Sequence, residues 1–109
     1  MKEKQVILSG NSFDILEYIK KNLAFDNYEQ STTYGFEFEY GKGYLTVFER
    51  YFIRNDSVAS LTLHILPLEN KQVELIMIVS GSETGILKID WWIDKSMMKT
   101  MDKLIEKLK

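Results

Sequence analysis

The sequence predicts an α+β domain in which two helices lie on one face of an antiparallel sheet of about five strands. Two observations predict this class. Apolar residues recur at helical spacing near both ends of the chain, and four or five consecutive segments between them have the character of strands. The predicted order is β-α-β-β-β-β-(β)-α, with the bracketed strand the least regular. No linker or compositional shift divides the 109 residues, so residues 1–109 are expected to form one domain.

The first two elements follow from a short apolar run and an amphipathic stripe. Residues 4–9 (KQVILS) predict a strand that ends at Gly10. Asn11 or Ser12 is the expected N-cap of the helix that follows. The helix is predicted from apolar residues spaced three or four apart, with one more beside them. These are Phe13, Leu16, Ile19, Leu23 and Ile15.

The middle of the chain reads as strands joined by turns. Residues 24–31 are polar and irregular, which predicts a loop, and residues 33–40 then place an aromatic at every second position. The glycines in residues 41–43 predict the hairpin turn. Further strands are expected at residues 44–53, 58–66 and 72–80, with polar turns at residues 54–57 and 80–85.

The end of the chain predicts one short strand and one helix. Residues 86–90 are interpreted as a short further strand, and Asp94 or Ser96 as the cap of the closing helix. The helix itself is predicted from an apolar stripe at near-heptad spacing. The stripe consists of Met97, Met101, Leu104 and Leu108.

Composition excludes several kinds of chemistry. The chain has no cysteine, which excludes disulfides, thiolate catalysis and cysteine-based metal centres. A net charge of -2 argues against binding to nucleic acid or an anionic membrane. Neither a signal peptide nor a membrane-spanning run is evident, so a cytoplasmic location is expected. No cofactor, metal site or catalytic residue is predicted.

Two resemblances add to this interpretation. The element order is similar to that of TATA-binding-protein-like domains and to a shortened helix-grip fold. In addition, residues 49–51 (ERY), 60–63 (SLTL), 80–82 (SGS) and 87–89 (LKI), followed by an amphipathic helix, resemble a family of small bacterial proteins of unknown function. The second resemblance implies a bacterial origin and a fold, and it implies no activity.

Isolated polar residues are interpreted as structural. His64 is the only histidine, and catalysis would require a constellation that the sequence does not place around it. Glu37 and Glu39 alternate with aromatic residues and are expected on the solvent-exposed face of the sheet. Arg50 is expected to pair across strands with one of these glutamates, although it could instead stack on aromatic rings and receive an anion.

The strongest functional signal is an excess of aromatic and aliphatic side chains on the strands. Two helices cannot cover both faces of the sheet, so one face is expected to bind a second copy or a protein partner. Phe36 and Phe38 are assigned to the covered core. The candidate contacts on the uncovered face are Tyr44, Phe48, Arg50 and Phe52. The predicted function is therefore a non-catalytic interaction module, acting through homodimerisation or a protein partner.

An alternative function is a carrier or sensor of a small apolar ligand. Its pocket would lie between the sheet and the closing helix, with Met97, Met98 and Met101 as an adaptable lining. Trp91 and Trp92 would form the mouth of that pocket. Methionines at helical spacing are more often plain core, which places this hypothesis second.

Overall fold

The computed structural model describes residues 2–52, 57–81 and 87–108, and the side chains within them other than those of residues 2, 57, 81 and 87–94. These residues form an α+β structure with two helices and an antiparallel sheet, which confirms the predicted class. The elements are β1 (Lys2–Ser9), α1 (Ser12–Phe25), β2 (Glu29–Gln30), β3 (Tyr34–Phe38), β4 (Gly41–Phe52), β5 (Ser57–Leu68), β6 (Gln72–Gly81) and α2 (Leu87–Leu108).

The sheet has the order β1-β6-β5-β4-β2, and β3 also pairs with β4. Every pairing is antiparallel. The register places Phe48 of β4 opposite Leu61 of β5, and Leu61 opposite Val79 of β6. Because side chains alternate along each strand, this register fixes which residues of neighbouring strands share a face.

Helix α1 begins where the sequence predicts. The Asn11 side chain accepts hydrogen bonds from the backbone N–H groups of Phe13 and Asp14, at 2.8 and 3.2 Å. This satisfies two of the donors that the first turn of a helix leaves without partners. The apolar stripe of α1 packs inward at Ile15, Leu16, Ile19 and Leu23, whereas Phe13 remains half exposed.

Both helices cover the same face of the sheet. Their buried side chains form one hydrophobic cluster with those of the central strands. Removing apolar surface from water contributes about 25 cal/mol per Å², so the burial of this cluster stabilises the fold. The largest fully buried side chains among those described are Phe48, Ile19, Leu23, Leu61, Leu63, Ile65, Leu75, Met77, Met97, Met101 and Val73. A pair between Lys4 of β1 and Asp102 links the sheet to α2 at the surface.

The connections between early elements differ from the predictions at two places. Part of the expected loop at residues 24–31 belongs to α1 and to the short strand Glu29–Gln30. The hairpin turn consists of Glu39 and Tyr40, and Gly41 already pairs with Phe38 as the first residue of β4. Gly41 has a φ of +137°, a conformation that disfavours side chains with a Cβ, so glycine is still required there.

The closing helix is longer than predicted. Residues 87–90 lie in α2, so the expected strand at residues 86–90 and the cap at Asp94 or Ser96 are wrong. The sequence does contain a helical signal here, since Ile89, Ile93 and Met97 are spaced four apart. The turns predicted at residues 54–57 and 80–85 lie largely outside the described residues.

Candidate functional site

The face of the sheet opposite the helices is rich in apolar side chains. The register assigns to it the odd-numbered residues of β1 and β4 and the even-numbered residues of β3, β5 and β6. We call the apolar, aromatic and imidazole side chains of this surface the open face. Its members are Ile7, Tyr34, Phe36, Phe38, Leu45, Val47, Tyr51, Val58, His64, Leu66, Leu68, Ile76 and Ile78.

No member of the open face is fully buried. Ile7, Tyr34 and Tyr51 are each more than half exposed, at 54%, 57% and 54%. The residues in the middle, such as Leu45 and Ile76, are partly exposed. An antiparallel sheet with one wet face normally presents polar side chains to water, so this composition departs from the usual alternation.

The aromatic end of the open face is held together by ring contacts. The Phe38 ring lies 6.4 Å, centroid to centroid, from both Phe36 and His64. It passes over Gly43, where a Cβ would lie 2.5 Å from Cε2 of Phe38. Glycine at this position therefore lets an aromatic side chain lie flat across β4.

The expected burial of Phe36 and Phe38 under the helices is wrong. The two side chains are 46% and 38% exposed, on the face that the helices do not cover. Their strand pairs with the beginning of β4, with Phe36 opposite Gly43. Every residue of β3 is exposed, including Glu37 on the other side of the strand.

The assignment of Tyr44, Phe48 and Phe52 to the uncovered face is also wrong. Phe48 is 1% and Phe52 7% exposed, within the core under the helices. Tyr44 packs against that core and lies 6.4 Å from the Phe13 ring of α1. None of these three side chains lies on the surface that a partner of the open face would contact.

Arg50 lies at the margin of the covered face and stacks on aromatic rings. Its guanidinium carbon is 4.8 Å from the centroid of Phe52 and 5.5 Å from that of Tyr28. The expected pairing of Arg50 with Glu37 or Glu39 is therefore wrong, because among the described residues no carboxylate forms an ion pair with Arg50. The alternative interpretation, stacking on aromatic rings, is confirmed. The aliphatic part of the side chain covers apolar surface while the charged end remains accessible.

Tyr28, beneath Arg50, is a functional candidate that the sequence interpretation missed. Burial raises the pKa of its hydroxyl above the usual value of 10.0, while hydrogen bonding and charge from Arg50 act in the opposite direction. The Thr100 hydroxyl of α2 also lowers this pKa by hydrogen bonding. Tyr28 thus connects β4 with α2 beside a half-buried cation.

The charges around the open face are acidic. The register places Glu29 directly opposite Glu49 at one end, and Glu3 belongs to the same face of edge strand β1. Glu74 accepts a hydrogen bond of 2.6 Å from Gln5. Among the described strand residues no lysine or arginine belongs to this face, so the apolar centre has an anionic rim.

The structure assigns the remaining candidates a packing role or leaves them undescribed. Met97 and Met101 are each 1% exposed in the core. Trp91 and Trp92 lie inside α2 instead of leading into it, and their side chains are outside the described part. Among described residues, no three His, Asp or Glu side chains converge closely enough to hold a metal ion.

The described residues define a two-layer α+β protein in which both helices pack on one face of the sheet and none of the described elements covers the other. The chain belongs to DUF6054, a family of unknown function, whose model matches residues 1–109. No curated protein and no solved structure matched the chain. None of the described helices has both the length and the apolarity needed to cross a membrane.

Proposed function

We propose that the protein is a non-catalytic interaction module whose open face binds the open face of a second copy. The supporting observation is the apolar centre formed by residues such as Leu45, Val47 and Ile76, which no other described element covers. Burial of such a surface against a matching one removes apolar area from water. Two antiparallel sheets pack well face to face at about 10 Å.

The size of the face suits self-association. The sheet is five strands wide, with β1, β6, β5 and β4 side by side and β2 and β3, of two and five residues, sharing the position beside β4. At about 4.8 Å between strands and about 3.3 Å per residue, some seven residues along each strand give roughly 550 Å² for one copy. Two copies would bury about 1,100 Å², which exceeds the roughly 1,000 Å² expected of a biological interface.

The acidic rim predicts how the affinity of this dimer depends on salt. Glu3, Glu29 and Glu49 lie toward the edges of the face, where they would stay in water and repel their counterparts. Salt screens exposed charges, so the dissociation constant of a homodimer should fall as the salt concentration rises. Binding to a partner with a basic rim would show the opposite salt dependence.

Sedimentation velocity over a range of concentrations and salt levels tests the proposal. We expect a dimer that strengthens with salt. Ile76→Glu and Val47→Glu should each yield a folded monomer, because each places a charge in the apolar centre. Phe25→Glu is the matched control, since Phe25 is 88% exposed on α1, away from the open face, and this variant should remain a dimer.

If the wild type remains a monomer up to millimolar concentration, self-association is contradicted. The open face would then bind a protein partner with a basic rim. A dimer that survives both open-face substitutions would also contradict the proposal. Circular dichroism of each variant separates loss of the interface from loss of the fold.

The proposal also includes a cytoplasmic location, a bacterial origin and kinship with TATA-binding-protein-like domains. The location rests on the sequence expectations given above, the origin on the family resemblance, and the kinship on element order alone. The apolar-ligand carrier is the weaker hypothesis, because the buried positions of Met97 and Met101 give both residues a core role.

A further inference from the structure

A groove of about 450 Å³ lies on the helix side of the protein, where the end of α1 faces the last turns of α2 and the margin of β4. The side chains lining it include Asn22 and Phe25 of α1, Arg50 of β4, and Thr100, Lys103 and Lys107 of α2. Its volume lies in the range of about 300–1,000 Å³ that is typical of sites for small molecules. It lies on the side of the sheet opposite the open face and is opposite to that face in charge, although Arg50 also lines a second groove with Glu29 and Glu49 of the acidic rim.

The cations of this groove exceed its anions. Arg50, Lys103 and Lys107 contribute three positive charges, and Asp26 is the single carboxylate among the lining residues that the structure describes. The chain as a whole carries a net charge of -2, so this local excess runs against the overall balance. Lys103 and Lys107 are also four residues apart on one helix, a spacing at which like charges repel.

The position of Lys107 has a structural explanation, because a cation in the last turn of a helix is favoured by the helix dipole. Arg50 has no such explanation. It lies on a strand, is half buried, and is held by the rings of Phe52 and Tyr28. Part of the guanidinium hydrogen-bonds the Tyr28 hydroxyl, and no carboxylate among the described residues forms an ion pair with the rest. The remaining planar N–H donors suit two oxygens of one anion.

We infer that the groove binds a small phosphate monoester whose organic part is planar. The Arg50 guanidinium would bind two phosphate oxygens, and the Lys103 and Lys107 ammonium groups would neutralise the remaining charge. A dianion matches the local excess of two positive charges. The Phe25 ring, 88% exposed at the wall of the groove, supplies a surface on which a planar group stacks.

The donors around the groove support a phosphate over a carboxylate. Asn22 donates its side-chain N–H to the Tyr18 carbonyl at 2.8 Å, and the Thr100 hydroxyl bonds the Ser96 carbonyl at 3.3 Å. The Asn22 amide is thus bonded within its helix, and the Thr100 hydroxyl is shared between Ser96 and Tyr28, so anion binding depends on the three cations. A monoanionic carboxylate would leave one of the two excess charges without a counterpart.

Phenyl phosphate, inorganic phosphate and benzoate serve as probes in titrations followed by backbone amide NMR of the full chain. We expect saturable shifts around the groove, with phenyl phosphate binding tightest. Lys103→Gln should weaken phenyl phosphate binding about threefold to tenfold, because one charge-assisted contact is lost. Arg50→Lys should weaken it similarly while retaining the charge, because the planar fork is lost.

Lys99→Gln is the matched control, since Lys99 is exposed on α2 and does not line the groove. It should leave the affinity for phenyl phosphate unchanged. The inference is overturned if Lys99→Gln and Lys103→Gln weaken binding equally, or if benzoate binds as tightly as phenyl phosphate. It is also overturned if the wild type shows no saturable shifts. The same holds if the wild type binds vesicles containing phosphatidic acid but binds neither phenyl phosphate nor inorganic phosphate. None of these outcomes depends on whether the open face self-associates.

Discussion

The Phe38 ring occupies the space that a side chain at residue 43 would need. A Cβ on Gly43 would lie 2.5 Å from Cε2 of Phe38 and 2.7 Å from the backbone oxygen of Ile65. Both distances are shorter than non-bonded atoms tolerate. The aromatic end of the open face therefore depends on Gly43, a residue that the alternation pattern of the sequence does not single out.

Gly43→Ala should destabilise the protein by about 1–3 kcal/mol, since the new methyl group forces Phe38 and the neighbouring backbone apart. Urea unfolding measures this cost. The same substitution in a Phe38→Ala background should cost less, because one of the two clashes is gone. Equal costs in both backgrounds would show that Phe38 does not lie over Gly43.

Phe48→Ala should lower the free energy of unfolding by about 3–5 kcal/mol, because it removes a ring that is 1% exposed in the core. Phe36→Ala should cost no more than about 1 kcal/mol, since Phe36 is 46% exposed. Chemical denaturation of both substitutions in the monomeric Ile76→Glu background gives both values. A larger loss for Phe36→Ala than for Phe48→Ala would reverse the assignment of the two sheet faces.

Thr46→Val should cost about 1 kcal/mol. The Thr46 hydroxyl is 1% exposed and accepts hydrogen bonds of 3.1 Å from both Gln30 and Thr33, which tie the β2–β3 segment to β4. Thr62→Val, on the opposite face of the sheet, is the matched control and should be close to neutral. Thermal unfolding compares the two, and equal effects would remove the proposed role of this hydroxyl.

Tyr28 should make stability fall at high pH. Because burial raises the pKa of its hydroxyl in the folded state above 10.0, folding favours the protonated form. Its contribution is fully present below pH 10.0 and is lost as the pH rises through the folded-state pKa. Denaturation of wild type and Tyr28→Phe at several alkaline pH values checks this, and the wild type should lose more stability than the variant. An identical decline in both proteins would contradict the assignment.

The sequence predicts the alternation of a regular strand well. In β6, Val73, Leu75, Met77 and Val79 are predicted to share one face, and they do so, in the core. The helix cap at Asn11 is equally local, because it depends only on a side-chain oxygen beside free N–H groups. These features need no knowledge of tertiary packing.

The orientation of β4 is harder to predict, because this strand is apolar on both faces. The sequence interpretation relied on Arg50 avoiding the core, but an arginine at the margin can stack on Tyr28 and Phe52 and keep its charge accessible. A better signal lies in β5, where Leu61 is fully buried. Its pairing with Phe48 across the hairpin places both side chains on the covered face.

The groove around Arg50 could not be predicted either. Its cations come from β4 and α2, which are separated by about half the chain, and the packing of α1 against both elements brings them together. Within the sequence, Lys103 and Lys107 resemble ordinary solvated residues of an amphipathic helix. A site built from distant elements leaves no local pattern.

The most direct test of the central claim is an isotope-filtered NOE experiment on a sample that mixes labelled and unlabelled chains. Self-association through the open face predicts intermolecular contacts among the methyl groups of Leu45, Val47 and Ile76 and the ring of Phe36. An absence of intermolecular contacts, or contacts confined to the helices, would contradict the claim that this face binds a second copy.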